Sequence, residues 1–181
     1  MLFRSAPVVQ ISPQSAACIA DTVGFIPVIN SVPGLAAIGS YTWYIDNVPY
    51  LSGAAPVPAF SHVFSQQGVY TIKLMVATVN GCSATVYDTI KINPLPSVVA
   101  GPNEILCKGR SVSISAVSST GVYQWNPSAT LSCNTCSTPV ASPTTTTLYI
   151  VTTVDTNGCS KQDDLLVTVI DSFNLTVSAS D

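Results

Sequence analysis

Gly68-Val69-Tyr70-Thr71-Ile72-Lys73-Leu74-Met75-Val76-Ala77-Thr78-Val79-Asn80-Gly81-Cys82-Ser83 is the stretch on which the fold turns. Tyr70, Ile72, Leu74 and Val76 fall at every second position, and Lys73 falls between them. Successive side chains of an extended chain point to opposite faces, so this is a strand with one buried face and one wet one. Asn80-Gly81 follows, and both residues tolerate positive φ, as a tight hairpin turn requires. A second apolar run, Val86 to Ile92, supplies the returning strand. The segment predicts a long antiparallel hairpin at the heart of a β domain.

Further along, the same order of signals recurs, and a repeat constrains the fold more than any local propensity does. A Cys follows the first strand of each copy, at Cys18 and Cys107. A central Trp follows, in Tyr41-Thr42-Trp43-Tyr44 and in Val122-Tyr123-Gln124-Trp125. A Tyr opens a long apolar strand, at Tyr70 and Tyr149, and an Asn-Gly-Cys-Ser turn closes it, at residues 80–83 and 157–160. The last strands are Val86 to Ile92 and Leu165 to Ile170. The expected organisation is therefore one unit over residues 7–93 and a second over 96–170, joined by the stiff Asn93-Pro94-Leu95-Pro96. Residues 171–181 read as a linker or the first strand of a following repeat. Val, Ile, Thr and Tyr dominate both units, and no helical period appears. The expected fold class is all-β: two tandem immunoglobulin-like β-sandwiches.

Composition narrows the function. The 181 residues carry only 6 Lys+Arg and a net charge of −3, which excludes a basic nucleic-acid surface. Charged residues make up 8 %, too few for a coiled coil. No apolar run is long enough to span a membrane, so no membrane insertion is expected. The start at Met1-Leu2-Phe3-Arg4-Ser5 has no apolar leader, yet six cysteines occur. A mature segment of a longer exported protein reconciles the two, and places the chain outside the cell or on a bacterial cell surface.

Ser61-His62-Val63-Phe64-Ser65-Gln66-Gln67-Gly68-Val69-Tyr70-Thr71-Ile72-Lys73-Leu74 resembles the PKD pattern of His, aromatic, Gly-x-Tyr and an alternating strand. Where that family carries a Trp-x-Phe-Gly-Asp-Gly turn, this chain has Trp43-Tyr44-Ile45-Asp46-Asn47. In the second unit, Ala100-Gly101-Pro102-Asn103, Cys107-Lys108-Gly109, Trp125-Asn126-Pro127, Leu131-Ser132-Cys133 and Asn157-Gly158-Cys159 resemble the repeats of Bacteroidetes cell-surface proteins. Those are PKD-like and Ig-like repeats of gliding-motility-associated and giant adhesin type. The resemblance implies export by the type IX secretion system and a role in cell adhesion.

The cysteines allow two readings. Repeat symmetry pairs Cys18 with Cys82 and Cys107 with Cys159, because the terminal strands of a sandwich are neighbours. Each bridge would stabilise its unit by about 2–4 kcal/mol. Cys133-Asn134-Thr135-Cys136 would then form a small loop disulfide. The alternative is a thiolate metal site or a CxxC redox pair. A zinc site needs a second CxxC or a His pair, and a thioredoxin-like CxxC needs a βαβ setting. The disulfide reading is the expectation, with no metal and no cofactor.

Catalytic residues are not expected. His62 is the only His and sits in a strand pattern, and the single Glu, Glu104, leaves carboxylate chemistry to Asp. Asp163 and Asp164 are adjacent and so point to opposite faces of a strand. A calcium site around Asp46-Asn47 is the one metal alternative. Trp43 and Trp125 read as core, leaving Tyr44, Tyr50 and Phe60 as candidate ligand-contact aromatics. Asp21-Thr22-Val23 and Asp88-Thr89-Ile90 resemble the O-glycosylation pattern of Bacteroidetes exported proteins, at Thr22 and Thr89. Asn174-Leu175-Thr176 fits an N-glycosylation triplet.

The expected function is a non-catalytic segment of an extracellular repeat protein, an adhesin or filament stalk. Its expected partners are neighbouring repeats of the same long chain, surface glycans or polysaccharide, or further copies in a filament. The alternatives are a carbohydrate-binding module of a secreted hydrolase and a passive spacer.

Overall fold

The computed structural model describes residues 7–12, 16–30 and 36–171. The chain divides between Pro94 and Leu95 into two compact units. All regular structure among the described residues is β. Residues 172–181, which include the Asn174 triplet and most of the expected terminal linker or strand, lie outside the described residues.

In the first unit the strands are β1 (Val8–Ile11), β2 (Ala16–Cys18), β3 (Thr22–Phe25), β4 (Pro27–Asn30), β5 (Ile38–Ile45), β6 (Val48–Ala54), β7 (Phe60–Val63), β8 (Gly68–Thr78) and β9 (Ser83–Asn93). The main sheet runs β2-β9-β8-β5-β6, with β1-β4 and β3-β7 as two-stranded sheets. The hairpin read from the sequence is β8–β9, in register from Gly68↔Ile92 to Ala77↔Ser83. Ile72, Leu74 and Val76 are fully buried, while Met75 between them is exposed. Val23 and Phe25 of β3 close the core against them, around a fully buried Trp43.

The second unit contains β10 (Val98–Ala100), β11 (Glu104–Cys107), β12 (Val112–Ser113), β13 (Ala116–Ser118), β14 (Gln124–Asn126), β15 (Val140–Ala141), β16 (Thr147–Val154) and β17 (Ser160–Ile170). Its main sheet is β11-β17-β16-β14, with β10-β13 and β12-β15 as pairs. Trp125 is fully buried among Tyr149, Val151, Leu165 and Val167. In both units the indole N–H is satisfied inside the core: Trp43 Nε1 donates to Pro58 O at 3.2 Å and Trp125 Nε1 to Cys136 O at 3.0 Å. A buried indole without such a partner would cost about 1–3 kcal/mol.

Register shifts one landmark of the repeat. Trp43 stands opposite Leu74, and Trp125 opposite Val151. Tyr149 therefore occupies the position of Ile72, not that of Tyr70. Both tyrosines keep to the core-facing parity, so the sequence pattern survives a slip of two residues. Their hydroxyls find different partners: Tyr70 donates to Gln66 O at 3.0 Å, and Tyr149 pairs with Thr130 Oγ1 at 2.5 Å.

Candidate functional site

Two features carry the chemistry: the open face of the five-stranded sheet and the cysteine positions.

On that face the register places Tyr44, Lys73 and Tyr87 directly across β5, β8 and β9, with Thr42, Met75 and Thr85 as the next row. Tyr44 and Tyr87 are thus two strand spacings apart, about 10 Å. Lys73 Nζ lies 3.8 Å from the centroid of the Tyr44 ring, a cation–π contact, and 3.4 Å from Asn47 Oδ1. Tyr87 is 62 % exposed and offers its ring to solvent. The face is weakly charged and aromatic at two points, which suits stacking on the apolar side of a sugar ring. In the second unit the same positions are Asn126, Ile150 and Asp164, so the aromatic row belongs to the first unit only.

Of the aromatics singled out in the sequence, Tyr44 lies on this face. Phe60 does not: its ring packs on Trp43 at 5.1 Å and Phe25 at 4.9 Å, as part of the core's edge. Tyr50 is 46 % exposed but its ring rests on Phe60 and His62. The β-bulge between Trp43 and Tyr44 shifts the facing strand β6 and turns Tyr50 toward β7. His62 is held edge-on between Tyr50 and Phe64. Tyr87 escaped sequence reading because nothing marked its strand as the one whose outward face stays uncovered.

Several acidic side chains accept backbone N–H groups. Asp46 and Asn47 both have positive φ, forming the β5–β6 turn, and Asp46 Oδ1 accepts Thr71 N–H at 2.8 Å. The Lys73 ammonium lies beside the same turn, 3.4 Å from Asn47 Oδ1. Asp163 accepts Ala100 N–H at 2.8 Å, and Asp164 faces solvent. Asp155 is the most engaged. Desolvation opposes its ionisation, but the N–H of Cys159, the Asn157 side chain and the Asn157 and Gly158 N–H groups outweigh that, holding its carboxyl below the ordinary range. Among the described residues no three His, Cys, Asp or Glu cluster as a metal site would need. Thr22 and Thr89 are both exposed on strands.

The cysteines occupy two repeated positions. Cys18 and Cys107 end the short strands β2 and β11, which run parallel to β9 and β17, with Cys18 opposite Asn93 and Cys107 opposite Ile170. Cys82 and Cys159 sit in the turns that precede the same long strands. Those strands span 11 residues each. The two cysteines of one unit therefore lie on the order of 35 Å apart, against the roughly 4.4–6.8 Å between Cα atoms that a disulfide needs. The expected bridges Cys18–Cys82 and Cys107–Cys159 are thus ruled out. The terminal strands are neighbours, but their parallel course puts the two cysteines at opposite ends.

Cys82, Cys107, Cys133 and Cys136 are thiols, and Cys18 and Cys159 are disulfide-bonded. The expected Cys133–Cys136 loop bridge is not formed, yet these thiols are neighbours. The Cys136 thiol hydrogen-bonds Cys133, drawing the Cys133 pKa down and pushing that of Cys136 up.

The family model for the PKD domain matches residues 4–92. No curated protein matches the chain. Among solved structures, the fibronectin(III)-like modules of Clostridium thermocellum CbhA are similar at 11 % identity and a TM-score of 0.44, covering 94 % of this chain and 100 % of that one. The insect immune protein hemolin gives 16 % and 0.44, covering 91 % of this chain and 47 % of its own. SGBP-B of the Bacteroides ovatus mixed-linkage glucan utilization locus, solved with a mixed-linkage heptasaccharide, gives 19 % and 0.37, covering 91 % and 48 %.

Proposed function

We propose that the chain is a non-catalytic segment of an extracellular repeat protein, serving as an adhesin or filament stalk on a bacterial surface. The repetition of one framework carries this reading. Each unit has a buried Trp bonded to a downstream carbonyl, a strand-end Cys, and an Asn-Gly-Cys turn built on the same hydrogen bonds. Such duplication conserves spacing and stiffness, which is what a stalk requires. Asp46, Asp155 and Asp163 spend their carboxylates on backbone N–H groups of turns and strand ends. The PKD-domain match of the first unit and the disulfide-bonded cysteines fit an extracellular setting.

Tyr44, Lys73 and Tyr87 favour a second reading, glycan contact through the open face of the first unit. One experiment separates the two: retention of the folded chain on chitin, cellulose, agarose and glass, beside the reduced and unfolded chain. Fold-dependent retention on all surfaces supports a general adhesin. Retention on one polysaccharide alone supports the glycan-binding reading. Hydrolysis of any of these polymers by the purified chain overturns the non-catalytic reading.

A further inference from the structure

The two buried indoles are anchored by segments of different make-up. Trp43 Nε1 donates to Pro58 O, in Pro56-Val57-Pro58, where two prolines fix the backbone. Trp125 spends both its N–H groups on one short loop. Its backbone N–H donates to Asn134 O at 2.8 Å and its Nε1–H to Cys136 O at 3.0 Å. The segment that supplies those carbonyls, Cys133-Asn134-Thr135-Cys136, holds no proline and is bracketed by two cysteines instead. The loop is pinned on both sides of the pair. Ser132 N donates to Val140 O at 2.9 Å, Val140 N to Ser132 Oγ at 2.9 Å, and Ala116 N to Ser137 O at 2.8 Å. In this frame the two thiols are hydrogen-bonded neighbours. Cys136 Sγ also donates to Cys133 O at 3.8 Å, and Cys133 Sγ lies 3.9 Å from Thr135 Oγ1. Both thiols are partly exposed. Among the described residues no third His, Cys, Asp or Glu joins them, so the pair lacks the ligand count of a zinc site.

We propose that Cys133 and Cys136 form a redox site, a dithiol that an incoming disulfide of the glutathione class closes to a loop cystine, which then clamps the anchor of Trp125 as the prolines clamp that of Trp43. The site lies in the second unit and uses none of Tyr44, Lys73 and Tyr87, so it stands apart from the adhesin and glycan readings. Cys133 attacks first, because its hydrogen bond with Cys136 favours the Cys133 thiolate. Its sulfur displaces one glutathione from oxidised glutathione and forms a mixed disulfide. The Cys136 thiolate then attacks Cys133 Sγ and releases the second glutathione. Two electrons and two protons pass from the cysteines to two glutathione thiols. Once closed, the loop has fewer open states in which its carbonyls leave Trp125, so local opening becomes rarer.

The test has two parts, both on the 181-residue chain. The wild-type chain is equilibrated with glutathione at rising proportions of the oxidised form, quenched in acid, alkylated and mapped by mass spectrometry. The expected product is a Cys133–Cys136 cystine within one chain, growing with the oxidised form and reverting when the reduced form is restored. Cys136→Ser is expected to stop at the mixed disulfide of Cys133 and glutathione. Absence of the loop cystine at every proportion, or glutathione adducts at both cysteines in its place, overturns the proposal. In the second part, NMR follows exchange of the two indole N–H groups with deuterated water. The Cys82→Ser/Cys107→Ser variant is compared before and after treatment with oxidised glutathione. The Trp125 indole is expected to exchange severalfold more slowly after treatment, and the Trp43 indole at an unchanged rate. Equal Trp125 rates in the two states, or equal slowing of both indoles, overturns the clamp. Cys82→Ala/Cys107→Ala replaces the serine variant should that melt below the wild type, and the mapping of the wild-type chain needs neither.

Discussion

At the scale of single residues, the repeat provides its own controls. Ala20 and Gly109 stand two residues after the strand-end cysteines, with φ of 69° and 81°. A left-handed conformation costs a non-glycine L-residue roughly 1–2 kcal/mol. The first unit bears that cost and the second does not. Ala20→Gly should therefore raise the melting temperature, with a gain of up to about 1 kcal/mol after the greater chain entropy of glycine is subtracted. Gly109→Ala should lose about 1 kcal/mol, although no atom lies near the added Cβ. Thermal denaturation of both variants checks the pair, and a destabilised Ala20→Gly would contradict the argument. Asp155 makes a second prediction. Its carboxyl is held below the ordinary range by the N–H groups of its turn, so the unfolded chain takes up the proton first as pH falls. The stabilisation it provides is fully present above the unfolded-state pKa and is lost as pH drops through the depressed folded value. Asp155→Asn should be less stable than wild type at neutral pH, and urea melts should show the gap closing in acid. A gap that is constant with pH would mean the carboxylate's charge has no role.

Elements show what a single sequence reveals and what it hides. The β8–β9 hairpin was legible because alternation and Asn80-Gly81 are local signals, and the buried Ile72, Leu74 and Val76 confirm their parity. Trp43 and Trp125 were legible as core because they recur. Phe60 was misread as exposed, since its packing on Trp43 and Phe25 depends on which strand covers β5. Tyr87 was missed for the complementary reason: its exposure is set by how the described strands assemble, and no residue near it encodes that. The Tyr44–Lys73–Tyr87 row makes the prediction for this scale. Tyr87→Ala should leave the melting temperature nearly unchanged, because the ring is mostly in solvent, while weakening any polysaccharide retention severalfold. Tyr44→Ala should cost both retention and some stability, since it also removes the Lys73 contact. Equal retention by wild type and both variants would exclude this face as the glycan site.

For the whole molecule, the repeat was readable and the disulfide pattern was not. Spacing tells which strand carries a cysteine. Whether the partner strand runs parallel or antiparallel decides which end it meets, and that is a property of the assembled sheet. Here β2 and β11 run parallel to β9 and β17, so symmetry suggested bridges that the length of the strands forbids. The monomeric chain, alkylated under native conditions without reductant, should therefore take up label at Cys82, Cys107, Cys133 and Cys136 and none at Cys18 or Cys159. Cys107 should react early, because it is exposed. Cys133 should compete with it at mildly alkaline pH, because its lowered pKa enriches the thiolate. After reduction and unfolding all six should be labelled. Label confined to Cys133 and Cys136 in the native chain would restore the bridges within each unit. It would require β2 and β11 to pair antiparallel with the last strands, against the register found here.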